Sequence, residues 1–344
     1  MKKERIHYID IAKAFGIIAI VMGHIYGVGV VRHILYAFHV PLFFFLSALF
    51  LNTSKPWKQC IKEKFHTIMI PYYCVSLISI AVYSVLGSYV AQVLGKSLEE
   101  FADNSLKFNI IGMFYANSRN GLMNWNRPLW FLPCLFITTL LLIGVEKCNV
   151  KNKVQIRVAT FLGAIGGGYL ISRINLILPF QAECSISMLA WMELALLMKP
   201  YVGSEKLKLC GTYKIIGALL ALGVAIYLGI KNEIVDIRIN YYGNYVLYLF
   251  VACVFIILLL SVAKTINRNK VLEYIGKNTM PILLFHKFPI LFFQSVFGPT
   301  RVYLQNLKTI EGTVCAVLIG VLSILSCLIL NEIYQRIKSA VKVR

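Results

Sequence analysis

The run DIAKAFGIIAIVMGH, residues 10–24, carries Asp10, Lys13 and His24 inside a stretch otherwise apolar enough to cross a bilayer. A helix advances about 100° and 1.5 Å per residue. The eleven steps from Lys13 to His24 therefore return to within roughly 20° of the same direction while separating the two by roughly 16 Å, and Asp10 lies within roughly 40° of His24. All three share one face. Asp10 and Lys13, at i and i+3, can pair, whereas His24 stands apart. An isolated imidazole suits proton transfer, because its unperturbed pKa of about 6.5 lets it take and return a proton near neutrality. Two more histidines lie in apolar surroundings, His39 in VRHILYAFHVPLFFFLSALF and His286 in IGKNTMPILLFHKFPI. Pro41 and Pro289 stand close behind them and can leave backbone carbonyls to be satisfied. The plain alternative is an anchoring ion pair with packed core histidines. No HxxxH spacing and no adjacent carboxylate accompany the histidines, so no metal is expected.

These groups need elements to hold them. Hydrophobic residues make up 58% of the 344 and charged ones only 15%, with a mean hydropathy of +0.72; soluble domains run near 45–50% apolar and about 25% charged. An all-α integral membrane protein is expected, forming one domain over residues 1–344. The first apolar run, about Tyr8 to Val28, is too long for a signal peptide and lacks a small-x-small cleavage site. At roughly 20 residues per crossing, about ten spans are expected, starting near Tyr8, Ile34, Ile68, Pro128, Val154, Ala182, Lys214, Gly243, Thr279 and Glu311. An even number puts both termini on one side.

Of the 35 lysines and arginines, 23 fall on the side of the termini, 11 on the other, and Lys13 lies within a span. Basic residues favour the cytoplasm, so both termini are expected there. The formal net charge of +20 is thereby assigned to short loops facing anionic membrane lipids, and nucleic acid is not expected as a partner. The nine cysteines are scattered without paired spacing and read as small packing residues. The lack of paired outer cysteines agrees with a multi-pass protein of a bacterial plasma membrane.

The order and spacing of these segments resemble the integral-membrane acyltransferase family 3, which includes bacterial sugar O-acetyltransferases. That family opens with an aspartate followed by Arg-x10-His, the places held here by Asp10, Lys13 and His24. FHVPLFFFLSALF resembles its second-helix pattern, with Ser47 present and Ala48 where glycine is usual. KEKFHTIMIPYY resembles its basic segment before Pro-Tyr, with Thr67 at a usually basic position and Lys64 as the nearest matched cation. RPLWFLPCLF and IGKNTMPILLFH resemble its Leu-Trp-Phe-Leu segment and its late histidine-ending helix. NYYGNYVLYLF resembles the fucose 4-O-acetylase-like branch. Lysine at position 13 keeps the charge but loses the planar fork of arginine.

The resemblance implies an O-acyltransferase that moves an acetyl or short acyl group from cytoplasmic acyl-CoA to the hydroxyl of an envelope glycan or lipid-linked sugar. No permanently bound cofactor is implied, since acetyl-CoA is the donor substrate. On this reading His24 is the general base or acyl carrier, and His286 and His39 stabilise an oxyanion or orient the acceptor. Lys13, held by Asp10, and Lys64 meet CoA phosphates. Trp130, Glu193 and Ser47 are candidates for acceptor binding. A transporter or flippase of a lipid-linked sugar is the alternative, because ionisable groups on membrane helices also mark translocation paths.

Overall fold

The computed structural model describes residues 6–26, 29–94, 106–149, 151–296 and 309–342. Lys2, Lys3, Arg5 and residues 95–105 and 297–308 lie outside them. A bilayer core offers no water to the backbone, so each crossing segment must satisfy its own N–H and C=O groups. The described residues are accordingly helical, and their one strand-like feature is an isolated bridge between Asp236 and Tyr241.

In chain order the helices are α1 His7–Ile25, α2 Val30–Leu49, α3 Trp57–Lys64, α4 Ile70–Leu94 and α5 Leu106–Tyr115. They continue as α6 Phe131–Lys147, α7 Lys153–Ser172, α8 Ala182–Gly203, α9 Thr212–Lys231 and α10 Tyr245–Ile266. The last are α11 Lys270–Lys277, α12 Thr279–Phe285, α13 Lys287–Val296 and α14 Ile310–Lys342. Eight of the described helical segments are long and apolar enough to cross a membrane, and α12 with α13, where the ninth span was expected, is long and apolar enough as a pair but bent by 55°. The remaining expected span is α8. It has 22 residues but carries Glu183, Glu193 and Lys199, and it does not reach the hydropathy of the others.

Two local departures from the expected spans have proline causes. Pro71 lacks the N–H that would close a regular turn, and a π-helical turn over Phe65–Met69 joins α3 to α4 ahead of it. The ninth span breaks at His286, three residues before Pro289.

Helix α1 is the central post. Its buried residues include Ile9, Asp10, Ile11, Ala12, Ile17, Ile20, Val21 and Ile25, so no broad stripe is left for lipid, as expected of a helix enclosed by others. It packs against α2, α10, α11, α12 and α14. In contrast α7 and α9 are only 11% buried over their apolar windows and form the lipid-facing edge.

Polar contacts fix the sidedness. At the start of α1, the Tyr8 hydroxyl donates to the Val202 carbonyl (2.9 Å) and His7 Nδ1 meets Glu273 Oε2 (2.7 Å). Beyond α11, the Asn331 amide donates to Asn278 Oδ1 (2.9 Å), and Tyr274 donates to Glu332 (3.2 Å). The start of α1, the end of α8, α11 and the later part of α14 thus lie on one side. It is the side richer in Lys and Arg, and the charge rule makes it cytoplasmic.

The α1–α11 contact leaves no room for a side chain at Gly276, where a Cβ would lie 1.8 Å from the Asp10 carbonyl oxygen. Gly276→Ala is expected to destabilise the protein by about 1–3 kcal/mol or more through overpacking. Gly217→Ala on α9, where nothing lies within 4 Å, is expected to be neutral or slightly stabilising. Thermal unfolding in detergent compares the two, and equal melting temperatures would contradict the close approach.

Candidate active site

Two cavities of about 320 Å³ each open along α1. Lys13, Ile17 and Ile20 line the inner one, and Ile20, Gly23 and His24 line the outer one. A single face of α1 therefore borders both, as helical periodicity requires of these positions. Ile20, Phe131 and Leu283 belong to both linings and form the wall where the cavities meet. Phe131 is itself held by α2, edge-on to Phe43 and Phe44 at ring-centroid distances of 6.1 and 5.2 Å.

The inner cavity brings together Lys13, Ser47, Lys64 and Thr67. Lys13 Nζ lies 3.6 Å from Asp10 Oδ1 and 5.5 Å from the centre of the Phe50 ring. Asp10 is buried and lines neither cavity, so its contact with this site runs through Lys13. The hydroxyls of Ser47 and Thr67 donate to the carbonyls of Phe43 (2.7 Å) and Glu63 (2.8 Å), four residues back. They present lone pairs to the cavity. The π-helical turn over Phe65–Met69 sits at this mouth and carries Thr67, a kind of irregularity that recurs at functional sites.

The outer cavity brings together all three histidines with Trp130. His24 and His286 stand 5.1 Å apart between ring centroids, Tyr36 and His39 5.1 Å, and His24 and Tyr36 6.3 Å. Gly23 makes this packing possible, because a Cβ there would lie 3.0 Å from the Tyr36 ring. His39 Nδ1 lies 2.5 Å from the Leu35 carbonyl oxygen. His286 Nδ1, at the bend between α12 and α13, lies 3.0 and 2.9 Å from the carbonyls of Ile282 and Leu283. A carbonyl oxygen only accepts, so in each ring Nδ1 carries the hydrogen and Nε2 of the neutral ring offers a lone pair.

That tautomer bears on the two roles expected of these rings. A neutral imidazole offering a lone pair can accept from an acceptor hydroxyl, which suits orienting, whereas oxyanion stabilisation by His39 or His286 would require the protonated ring. Among the described residues His286 Nε2 is buried without a partner, and His24 is exposed to the cavity. Trp130, expected at the outer end, is buried against the same space.

Sequence reasoning missed the rim of the outer cavity. Arg32, Asn124, Arg127, Asp236, Arg238 and Lys287 all line it. Arg127 Nε and Nη2 donate to Asn124 Oδ1 (2.9 and 2.5 Å), and Lys287 Nζ donates to the Asn124 carbonyl (3.0 Å). Arg238 pairs with Asp236 at 3.0 Å on a loop tied down from three directions. Gln181 donates to the Arg238 carbonyl (2.6 Å), Cys184 to the Ile237 carbonyl (2.9 Å), and Arg238 itself to the Ser118 carbonyl (3.3 Å). The available signal was these cations' placement on the outer side, against the charge bias of the chain.

Glu193 lies elsewhere. It is fully buried, lines neither cavity, and neither of its oxygens has a hydrogen-bond partner among the described residues. Arg157 is bound to Glu146 at 2.9 and 3.0 Å and not to Glu193. A buried carboxyl without donors is costly in its charged form. Glu193→Gln is therefore expected to keep or raise the melting temperature and to leave the acceptor KM unchanged; a rise in that KM would place Glu193 in the binding site after all.

Comparison with known proteins bears on what these cavities do. No curated protein and no solved structure matches the chain. A family model described as an acyltransferase domain, that of acyltransferase family 3, matches residues 6–332. The chain belongs to that family, and it is a multi-pass membrane acyltransferase.

Proposed function

We propose that the protein transfers an acetyl or short acyl group from cytoplasmic acyl-CoA to a hydroxyl of an envelope glycan or lipid-linked sugar, in a plasma membrane. The observation that carries this reading is the pair of cavities along one face of α1, lysines in the inner one and histidines in the outer, meeting at Ile20, Phe131 and Leu283. Lys13 and Lys64 meet the phosphates of CoA at the inner mouth. The roughly 16 Å between residues 13 and 24 along the helix is comparable with an extended phosphopantetheine arm, which brings the thioester to the shared wall. The sugar enters from outside against Trp130. The resemblance of NYYGNYVLYLF to the fucose 4-O-acetylase-like branch supports a sugar as acceptor.

The acceptor oxygen attacks the thioester carbonyl carbon as His24 takes the hydroxyl proton. The C–O bond forms, the tetrahedral adduct collapses with cleavage of the C–S bond, and the leaving CoA sulfur receives the proton back from the imidazolium. The Nε2 lone pairs of His39 and His286 accept from sugar hydroxyls and set which one is presented. Attack through an acyl-histidine at His24 is the two-step variant. A sugar-lipid transporter is the second reading, favoured by the bent span at His286 and the two facing cavities, features shared with alternating-access carriers.

Radiolabelled acetyl-CoA and candidate glycans test the proposal on purified, reconstituted protein. Labelled glycan is expected, with His24→Ala lowering kcat by about 10²–10⁴-fold, the range for loss of a general base. Lys13→Gln is expected to raise the acyl-CoA KM with little change in the acceptor KM, and Lys13→Arg to retain or improve acyl-CoA affinity. Full activity of His24→Ala would remove the proposed base, and glycan movement without label transfer would establish the carrier.

A further inference from the structure

The outer cavity is more basic than its setting explains. Among the described residues, four cationic side chains, Arg32, Arg127, Arg238 and Lys287, line it against one carboxylate, Asp236. The positive-inside rule accounts for Lys and Arg on the cytoplasmic side and leaves this outer group unexplained. Gathering like charges at one half-buried mouth costs repulsion and desolvation, so the arrangement is informative. These side chains line a concave site and do not spread along the outer surface, which separates them from general attraction to lipid headgroups.

Asn124 and Tyr36 help to position three of them. Arg127 and Lys287 are steered by the side-chain and backbone oxygens of Asn124, and the Arg32 guanidinium lies 4.8 Å from the centre of the Tyr36 ring. The Tyr36 ring is in turn 5.1 Å from His39 and 6.3 Å from His24. Arg32 is thus linked to both imidazoles through the one Tyr36 ring. Lys287 directly follows His286 at the bend.

We infer that the acceptor is anionic: a sugar bearing a phosphate, diphosphate or carboxylate, whose charge is held by Arg32, Arg127 and Lys287 while a hydroxyl of the same acceptor faces His24 across the cavity. The two arginines of this group suit an oxyanion better than lysines would, because the guanidinium fork matches phosphate and carboxylate geometry. This inference rests on the proposed acyl transfer for its purpose but not for its binding site.

The test uses the full chain in nanodiscs of uncharged lipid, with methyl glucoside, glucose 1-phosphate and methyl glucuronide as probes, read by calorimetry. At least one anionic probe is expected to bind tenfold or more tightly than the neutral glycoside, and that preference is expected to fall with added salt. Phosphate alone succeeding points to a lipid-diphosphate or phosphosugar acceptor, and glucuronide succeeding equally points to an acidic sugar; both support an anionic acceptor. Arg32→Gln and Arg127→Gln are expected to abolish the preference, with Arg32→Lys keeping part of it, whereas Lys13→Gln in the inner cavity leaves it intact. Equal binding of all three probes overturns the inference. So does a rise in acyl-CoA KM with unchanged anion binding in the arginine variants, which would assign the cations to the donor. If anion binding persists while no acyl transfer is found with any acceptor, the proposed reaction fails and this site stands.

Discussion

The cost of placing ionisable groups within a membrane protein organises this molecule. A charged residue at the bilayer centre costs at least about 2.5 kcal/mol on insertion scales, unless it faces protein or water. Asp10, Lys13 and His24 lie on a helix that the rest of the fold surrounds, and two of them face cavities instead of lipid. Helix α1 can therefore carry polar chemistry because α2, α10, α11, α12 and α14 exclude lipid from it. The glycine at 276, against the backbone of Asp10, shows how closely that enclosure is drawn.

The same enclosure divides labour along a single helix. A rise of about 1.5 Å per residue means that eleven residues cover roughly half of a bilayer core, so one face supplies a cation near the cytoplasm and an imidazole near the outside. Neither group needs to move for a donor and an acceptor from opposite sides to meet. The barrier between the cavities is apolar: Ile20 from α1, Phe131 at the start of α6 and Leu283 from α12. In the proposed reaction a thin acyl-pantetheine arm passes beside such groups at less cost than its charged phosphates, which suits the placement of Lys13 and Lys64 in the inner cavity.

Much of this was legible in sequence because two strong regularities encode it. Hydropathy over about 20 residues and the bias of Lys and Arg gave the all-α membrane fold, and the 3.6-residue period placed Lys13 and His24 on one face. What escaped has a tertiary origin. The glutamates of α8 made it less apolar than the other spans without preventing a 22-residue helix. Periodicity on a single helix also gave no means of seeing that Glu193 faces neither cavity, or that Asp10 reaches the site only through Lys13. The rim cations were invisible for another reason: Arg32, Arg127, Arg238 and Lys287 come from four separate segments, and only the fold collects them. The tautomers of His39 and His286 were likewise set by carbonyls of their own helices, which a residue list does not display.

The claim at the centre of this account is that donor and acceptor meet from opposite faces of the membrane at the wall between the two cavities. Sealed proteoliposomes with protein of one known orientation, acceptor confined to the side of His24 and radiolabelled acetyl-CoA supplied only to the side of Lys13, test it directly. Labelled acceptor is expected within its compartment, with no reaction when the two substrates are exchanged between sides. Transfer that requires both substrates on the same face would contradict it.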